Sequence, residues 1–250
     1  MTADRLTQAV RQQLGLGRLL PLGSPGDGAW ITEAAATSVL RRAVRRMPGV
    51  RLGSVRLALV DPDGAAEPAV PPPPSALPPG PLRVTAEFTA TLTPRDPFPT
   101  TAARLRAALA SAATDRLGLA VTEVDLRMTG LIEEDPGPAA VDDDEERAGG
   151  EADDRSGEPG LRTDDDGARV ATAVRSVPGV TRLGAVHVTH PADASGTAAA
   201  VPRRHLRVEF EAGAAERTLD VAGAVRAAVT RELPDHPSVA VLVTAVRSPA

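Results

Sequence analysis

Ala43-Val44-Arg45-Arg46-Met47-Pro48-Gly49-Val50 recurs in the second half of the chain as Ala173-Val174-Arg175-Ser176-Val177-Pro178-Gly179-Val180. Further matches follow in the same order. Leu52-Gly53-Ser54-Val55 returns as Leu183-Gly184-Ala185-Val186, and Leu82-Arg83-Val84 as Leu206-Arg207-Val208. Leu105-Arg106-Ala107-Ala108-Leu109 returns as Val225-Arg226-Ala227-Ala228-Val229, and Leu119-Ala120-Val121 as Val239-Ala240-Val241. An alanine-rich composition readily produces one such coincidence, but not all of them in sequence order. The chain therefore reads as one pattern written twice.

Each copy reads α-β-β-α-β. Leu40, Val44 and Met47 recur at i, i+4 and i+7, a helical stripe. Thr32 is a suitable N-cap, and Pro48-Gly49 is a suitable stop. Val170, Val174 and Val177 take the same places in the second copy. Val55, Leu57 and Leu59 alternate with polar or small neighbours, the mark of a half-buried strand. The clearest strand runs from Leu82 to Leu92. Leu82, Val84, Ala86, Phe88, Ala90 and Leu92 fall on one face, and Arg83, Thr85, Glu87, Thr89 and Thr91 on the other. A helix over Thr101–Arg116 and its counterpart over Leu219–Leu233 precede closing strands at Ala120–Met128 and Val239–Val246. One apolar and one polar sheet face predicts an α/β chain of the two-layer α+β kind. It would consist of two tandem α-β-β-α-β modules, each a small three-stranded sheet with helices on one face.

The boundaries follow from composition. Residues 1–28 form an N-terminal amphipathic segment, in which Leu6, Ala9, Val10, Gln13 and Leu14 suit a short helix. Its apolar face needs a partner, be it the first module, another subunit or a membrane surface. The first module spans residues 29–132 and carries a Pro-rich insertion at 67–81, read as an extended spacer. Residues 133–160 form a disordered acidic linker, and 161–250 the second, divergent module. From Glu133 to Asp166 the chain holds 15 acidic residues against Arg147, Arg155 and Arg162, a net charge of −12. The whole chain carries −5, so the remainder carries −5 − (−12) = +7.

Composition also excludes chemistry. All 28 basic residues are arginine, so no Schiff-base or P-loop lysine is available. Cysteine is absent, which removes thiol catalysis, disulfides and thiolate metal sites. Only Trp30, Phe88, Phe98 and Phe210 supply large aromatic area, so cores must be built from Val, Leu and Ala. No signal-peptide core and no apolar run of transmembrane length is visible, so cytoplasmic residence is expected.

Trp30-Ile31-Thr32-Glu33, leading into a helix that ends Pro48-Gly49-Val50, resembles the alkaline shock protein (general stress protein) family. So does an alternating strand, Val84 to Leu92, followed by a helix ending Arg116-Leu117-Gly118-Leu119. The strand Val121-Thr122-Glu123-Val124-Asp125-Leu126 and a closing Gly130-Leu131 complete the likeness. It covers residues 29–132 well and 161–248 more faintly. The resemblance implies a small non-enzymatic protein of the cell-envelope stress response, some of whose relatives attach to membranes through a separate anchor protein. The duplication, the Pro-rich insertion and the acidic linker depart from the family pattern and leave its partners open here.

Candidate chemistry is sparse. His187 and His190, three residues apart on a strand, face opposite sides, which disfavours zinc; His205 and His236 are read as ordinary surface histidines. The acidic runs Asp142–Glu146 and Asp164–Asp166 lack the alternating ligand spacing of a calcium loop. No nucleophile with a base, nucleotide fingerprint, cofactor motif or metal cluster is found. Arg41, Arg42, Arg45 and Arg46 remain, two i, i+4 pairs on one helix that could grip phosphates or an acidic partner. In the second copy only Arg175 matches, at the place of Arg45, so the cluster is not a requirement of the fold.

The expected function is a non-enzymatic interaction or scaffold protein with a protein partner or self-association. No small-molecule substrate and no cofactor are expected. Membrane contact would be indirect, through a partner at the inner face of the cell membrane. The alternative is a nucleic-acid-binding module using the Arg-rich first helix. It is disfavoured by the missing G-x-x-G loop and the scarcity of stacking aromatics.

Overall fold

The computed structural model describes residues 16–91, 97–132, 165–189 and 204–248. The helix expected over Leu6–Leu14 and the linker 133–160 lie outside the described residues. The elements run β1 (Leu19–Leu22), β2 (Ala29–Thr32), α1 (Glu33–Val44), β3 (Val50–Leu59), β4 (Leu82–Thr91) and α2 (Phe98–Ser111). A π-helical turn (Ala112–Leu117), β5 (Val121–Ile132), α3 (Asp165–Arg175), β6 (Val180–Thr189), β7 (His205–Gly213), α4 (Thr218–Glu232) and β8 (Ser238–Arg247) follow. The mixed α/β class expected from the sequence holds.

Helix α1 starts where its chemistry allows. Thr32 is extended, and its hydroxyl accepts from the Ala35 N–H at 3.2 Å while donating to the Thr244 carbonyl at 3.0 Å. Ala36, Leu40 and Val44 are buried on one face. The helix stops at Val44, a turn short of Met47, which instead donates its N–H to the Val44 carbonyl from the following turn. Helix α3 repeats this ending, stopping at Arg175 with Val177 in the turn beyond it. Because Thr32 is buried and bonds in two directions, Thr32→Ala is expected to cost about 1–2 kcal/mol in chemical denaturation, with Thr32→Ser recovering most of it.

The three-stranded sheet has the order β3-β4-β5, with β3 antiparallel and β5 parallel to β4. The second sheet has five strands in the order β1-β2-β8-β7-β6, where β6 is antiparallel and β8 parallel to β7. Two irregularities fall at matching residues in the two sheets, while shifts at Leu82/Arg83 and Val180/Arg182 have no counterpart. The antiparallel register shifts between Leu52 and Val55 and between Leu183 and Val186; the parallel register shifts after Phe88 and after Phe210. Gly184 is the tighter of the two bulge glycines, since at Gly53 a Cβ would come no nearer than 3.4 Å to Glu87. A Cβ at Gly184 would lie 3.0 Å from the Glu209 carbonyl oxygen, so the bulged strand can approach its neighbour only without a side chain.

Two strands from residues 19–32 make the second sheet larger than the three-stranded expectation. Ala29, Trp30 and Ile31 pair in parallel with Val241, Leu242 and Val243, and β1 closes antiparallel on β2. Part of the expected N-terminal segment is thus sheet, and β8 is a central strand. Val239, Val241 and Val243 enter the main core, while Ala240 and Leu242 face the opposite side with Leu19, Trp30 and Val70. That second face is covered by the Pro-rich segment. Pro73 and Pro79 are buried, the Leu77 N–H donates to the Leu19 carbonyl at 2.9 Å, and the Trp30 indole donates to the Leu77 carbonyl at 3.3 Å. The expected free spacer is a strap, because a central strand with two apolar faces must be covered twice. On the three-stranded sheet the outer face stays wet, with Arg83 on Glu123 and Asp125.

One continuous core joins the inner faces of both sheets. Phe88, Val84 and Leu57 of one belong to the same cluster as Phe210, Val208 and Val241 of the other. Helix α1 touches β3 on one side and β2 and β8 on the other, and α4 meets the π-helical turn. The first turn of α3 also corrects a reading of the acidic run. Asp166 lies in that turn and bonds Arg204 at 2.9 Å, a carboxylate at a helix N-terminus where the backbone dipole favours it.

Candidate functional site, an arginine-lined cleft

The four arginines of the first helix do not act as one cluster. Arg41 turns to β3, donating to the carbonyls of Leu52 at 3.4 Å and Gly53 at 2.8 Å, at the start of the bulge. Arg42 points the other way and donates to the Val246 carbonyl near the end of β8 at 2.7 Å. Arg45 and Arg46 follow the last turn of α1 and are exposed. Arg41 lies only about 40° from Arg45 around the helix, so its turn toward the β3 carbonyls, and not its place on the helix, keeps it out of the group formed by Arg42, Arg45 and Arg46.

Those three residues line a cleft of about 290 Å³ together with Arg116, on the π-helical turn. Val39, Leu117 and Val246 supply its apolar surface. Glu216 and Thr218, from the approach to α4 and its first residue, complete the polar lining. Four guanidiniums against one carboxylate make the cleft electropositive. Among the described residues, none of Arg45, Arg46 and Arg116 forms an ion pair. Arg116 was missed at the level of sequence because α1 and the π-helical turn meet only in the folded core. Its place directly before Leu117-Gly118 was the available signal: the buried Leu117 fixes the turn, and Arg116 must then face outward.

The far wall is the beginning of α4. Its N-cap is Arg217, a residue whose side chain has no acceptor and makes no capping bond, so among the described residues the first turn lacks a side-chain cap. The Arg217 guanidinium instead donates to the Thr114 carbonyl at 3.3 Å and pairs with Asp220 at 3.6 Å. Thr218 is fully buried, and its hydroxyl has no hydrogen-bond partner. The wall thus combines an uncapped helix start with the carboxylate of Glu216.

The histidines form no comparable site. His187 lies 3.2 Å from Glu209 on the outer face of its sheet. His205 contacts the Ser238 hydroxyl at 2.9 Å, and burial, aided by the charge of Arg207, holds its ring below the usual histidine range. His190 lies outside the described residues. Among the described residues no group of three or more His, Asp or Glu side chains is arranged to hold a metal, and no helix is long and apolar enough to cross a membrane.

Compared with models of known protein families, with curated proteins and with solved structures, the chain finds no match in any of the three.

Proposed function

We propose that this chain is a non-enzymatic interaction or scaffold protein built from two divergent copies of one α-β-β-α-β module, as its resemblance to the alkaline shock family implies. Support for the duplication comes from the strand order. Each half gives an antiparallel pair followed by a parallel one, with register shifts at Leu52/Val55 and Leu183/Val186 and again after Phe88 and Phe210. The two extra strands and the proline strap are additions to the second copy's sheet. Residence in the cytoplasm, with membrane contact only through a partner at the inner face, completes this reading, and cell-envelope stress is its setting.

The observation that carries the binding role is the convergence of Arg42, Arg45, Arg46 and Arg116 on one cleft. Arg45, Arg46 and Arg116, which form no ion pair among the described residues, are a natural seat for an acidic group of a partner protein. An extended nucleic-acid track is less well supported. On the outer faces of both sheets Arg83, Arg207 and Arg247 are already paired with Glu123, Asp125, Glu209 and Glu211, so these faces present mixed charge rather than a basic track for a phosphate backbone.

The test is crosslinking of the full chain in its native host, with an Arg45→Glu/Arg46→Glu/Arg116→Glu variant in parallel. A defined protein, or a second copy of the chain, should be captured by the wild type, with capture falling roughly tenfold or more in the variant. Equal capture by both removes the cleft from the reading. Salt-dependent RNA binding lost in the variant would replace the scaffold role with the nucleic-acid one.

A further inference from the structure

We infer that the free edge of β5 is a docking surface for the same edge of a second copy of the chain, paired antiparallel about Leu126. The inference rests on the self-association side of the proposed role and uses a surface apart from the arginine cleft. The internal repeat shows what such an edge receives. The Thr129 hydroxyl donates to the Phe88 carbonyl at 3.3 Å, and the Thr244 hydroxyl donates to the Phe210 carbonyl at 3.2 Å, so β5 and β8 match at this point of their sheets. Met128 and Leu131 thus stand where Val243 and Val246 stand. Val243 and Val246 are buried, where β2 pairs with β8 and α1 packs against it. Met128 and Leu131 are 44 % and 56 % exposed, and among the described residues no strand pairs with the outer edge of β5.

The other sheet edges are blunted. Leu19 of β1 bonds Ser75 and Leu77 of the strap. On β3, Glu33 accepts from the Leu57 N–H at 3.1 Å, and Arg41 holds the Leu52 and Gly53 carbonyls. Strand β6 keeps only Val186–Thr189 in unbroken register, whereas β5 keeps Glu123–Met128. The sequence of β5 selects the occupant. Because the Leu57 N–H turns to Glu33, its antiparallel neighbour Val84 turns its backbone groups to β5, and those of Val124, Leu126 and Met128 face outward. Pairing Leu126 with the partner's Leu126 sets Val124 against the partner's Met128 and Asp125 against the partner's Arg127, twice by symmetry. Moving the axis to Asp125 or to Arg127 sets like charges against each other, and so does parallel pairing in the same register. Asp125 and Arg127 bond only Arg83 at 3.4 Å and Glu87 at 3.9 Å and stay exposed to a partner. Arg106 donates to the Val124 carbonyl at 3.0 Å, which leaves that oxygen a second lone pair for the partner's Met128 N–H.

The experiment is sedimentation velocity of the full chain across the micromolar range, with amide hydrogen exchange at low and high concentration. The wild type should pass from monomer to dimer, and the Leu126 and Met128 N–H groups should gain protection as it does. Asp125→Arg and Arg127→Asp each turn two attractive contacts into repulsive ones, and each should weaken dimerisation roughly tenfold or more. Mixed together, the two variants should dimerise with each other, since every such contact again joins opposite charges. That rescue is a readout which a folding defect would not produce. A chain that stays monomeric throughout, a dimer indifferent to both variants, or a mixture that stays monomeric overturns the inference. Protection of Leu126 and Met128 that appears only with a different captured protein assigns the edge to a foreign strand and overturns it as well. The Arg45→Glu/Arg46→Glu/Arg116→Glu variant should dimerise as the wild type does. If edge pairing fails while arginine-dependent capture persists, the scaffold role stands without this interface. If the edges pair and the cleft captures nothing, the cleft reading alone falls.

Discussion

Gly118→Val is expected to destabilise the fold by about 3 kcal/mol or more, enough to move its denaturation midpoint well below that of any surface variant. Gly118 ends the π-helical turn in the left-handed region, at φ 88° and ψ 23°, and its N–H donates to the carbonyls of Ala113 and Thr114. A β-branched residue resists that conformation, at about 1–2 kcal/mol. The larger effect is steric. A Cβ at 118 would stand 2.4 Å from the Cβ of Leu219 in α4, and no rotamer change can move a Cβ aside. The backbone of one half must then retreat from the helix of the other, at about 1–3 kcal/mol for overpacking. Gly17 supplies the control. It too has a positive φ, 64°, but among the described residues nothing lies within 4 Å of the place its Cβ would take. Gly17→Ala should therefore report the dihedral cost alone, about 1 kcal/mol, and the excess seen with Gly118→Ala measures the contact with Leu219.

Trp30→Ala is the second large effect, expected at about 3–5 kcal/mol by urea denaturation followed by circular dichroism. The indole is 1 % exposed between β8 and the strap, and its N–H reaches across to Leu77. Truncation removes the largest side chain of the outer cluster and leaves the Leu77 carbonyl without that donor. The damage should be local first. Amide exchange at Ala69 and Leu77, whose N–H groups bond Pro25 and Leu19, should accelerate more than exchange in β4 or β7. Trp30→Phe keeps most of the packing and should lose only about 1 kcal/mol. Uniform acceleration across both sheets in Trp30→Ala would instead mean that strap and core open together.

These two positions mark where the sequence was legible and where it was not. Period-two alternation placed β4 within a residue of its end, since Leu82, Val84, Ala86, Phe88 and Ala90 are all buried. Two-faced burial was harder to see. Val239-Ala240-Val241-Leu242-Val243 has no polar member, the pattern of a strand covered on both sides, yet by analogy with the first copy it read as a one-sided closing strand. The corresponding strand β5 carries Glu123, Asp125 and Arg127 and remains an edge. Recognising that difference would have required something to cover β8, and only the strap and Trp30 were available. The binding cleft was legible by halves. Helical spacing grouped the arginines of α1, but only the tertiary meeting of α1, the π-helical turn and α4 could remove Arg41 and add Arg116 and Thr218.

The parallel pairing of Ala29 with Val241 has a consequence for the order in which the molecule can be made. During synthesis Leu20 and Ile31 emerge long before β8, the strand that shelters them, since Ala29 and its partner Val241 lie 241 − 29 = 212 residues apart. A chain stalled before Ser238 would expose a two-stranded hairpin with no sheet to join, and an unpaired edge on β7. Closure between such distant segments is slow, and the waiting interval is when a nascent chain is most exposed to aggregation or chaperone capture. Strand β8 thus acts as the keystone of assembly, and shortening it by even a few residues should injure β1 and β2 as much as β7.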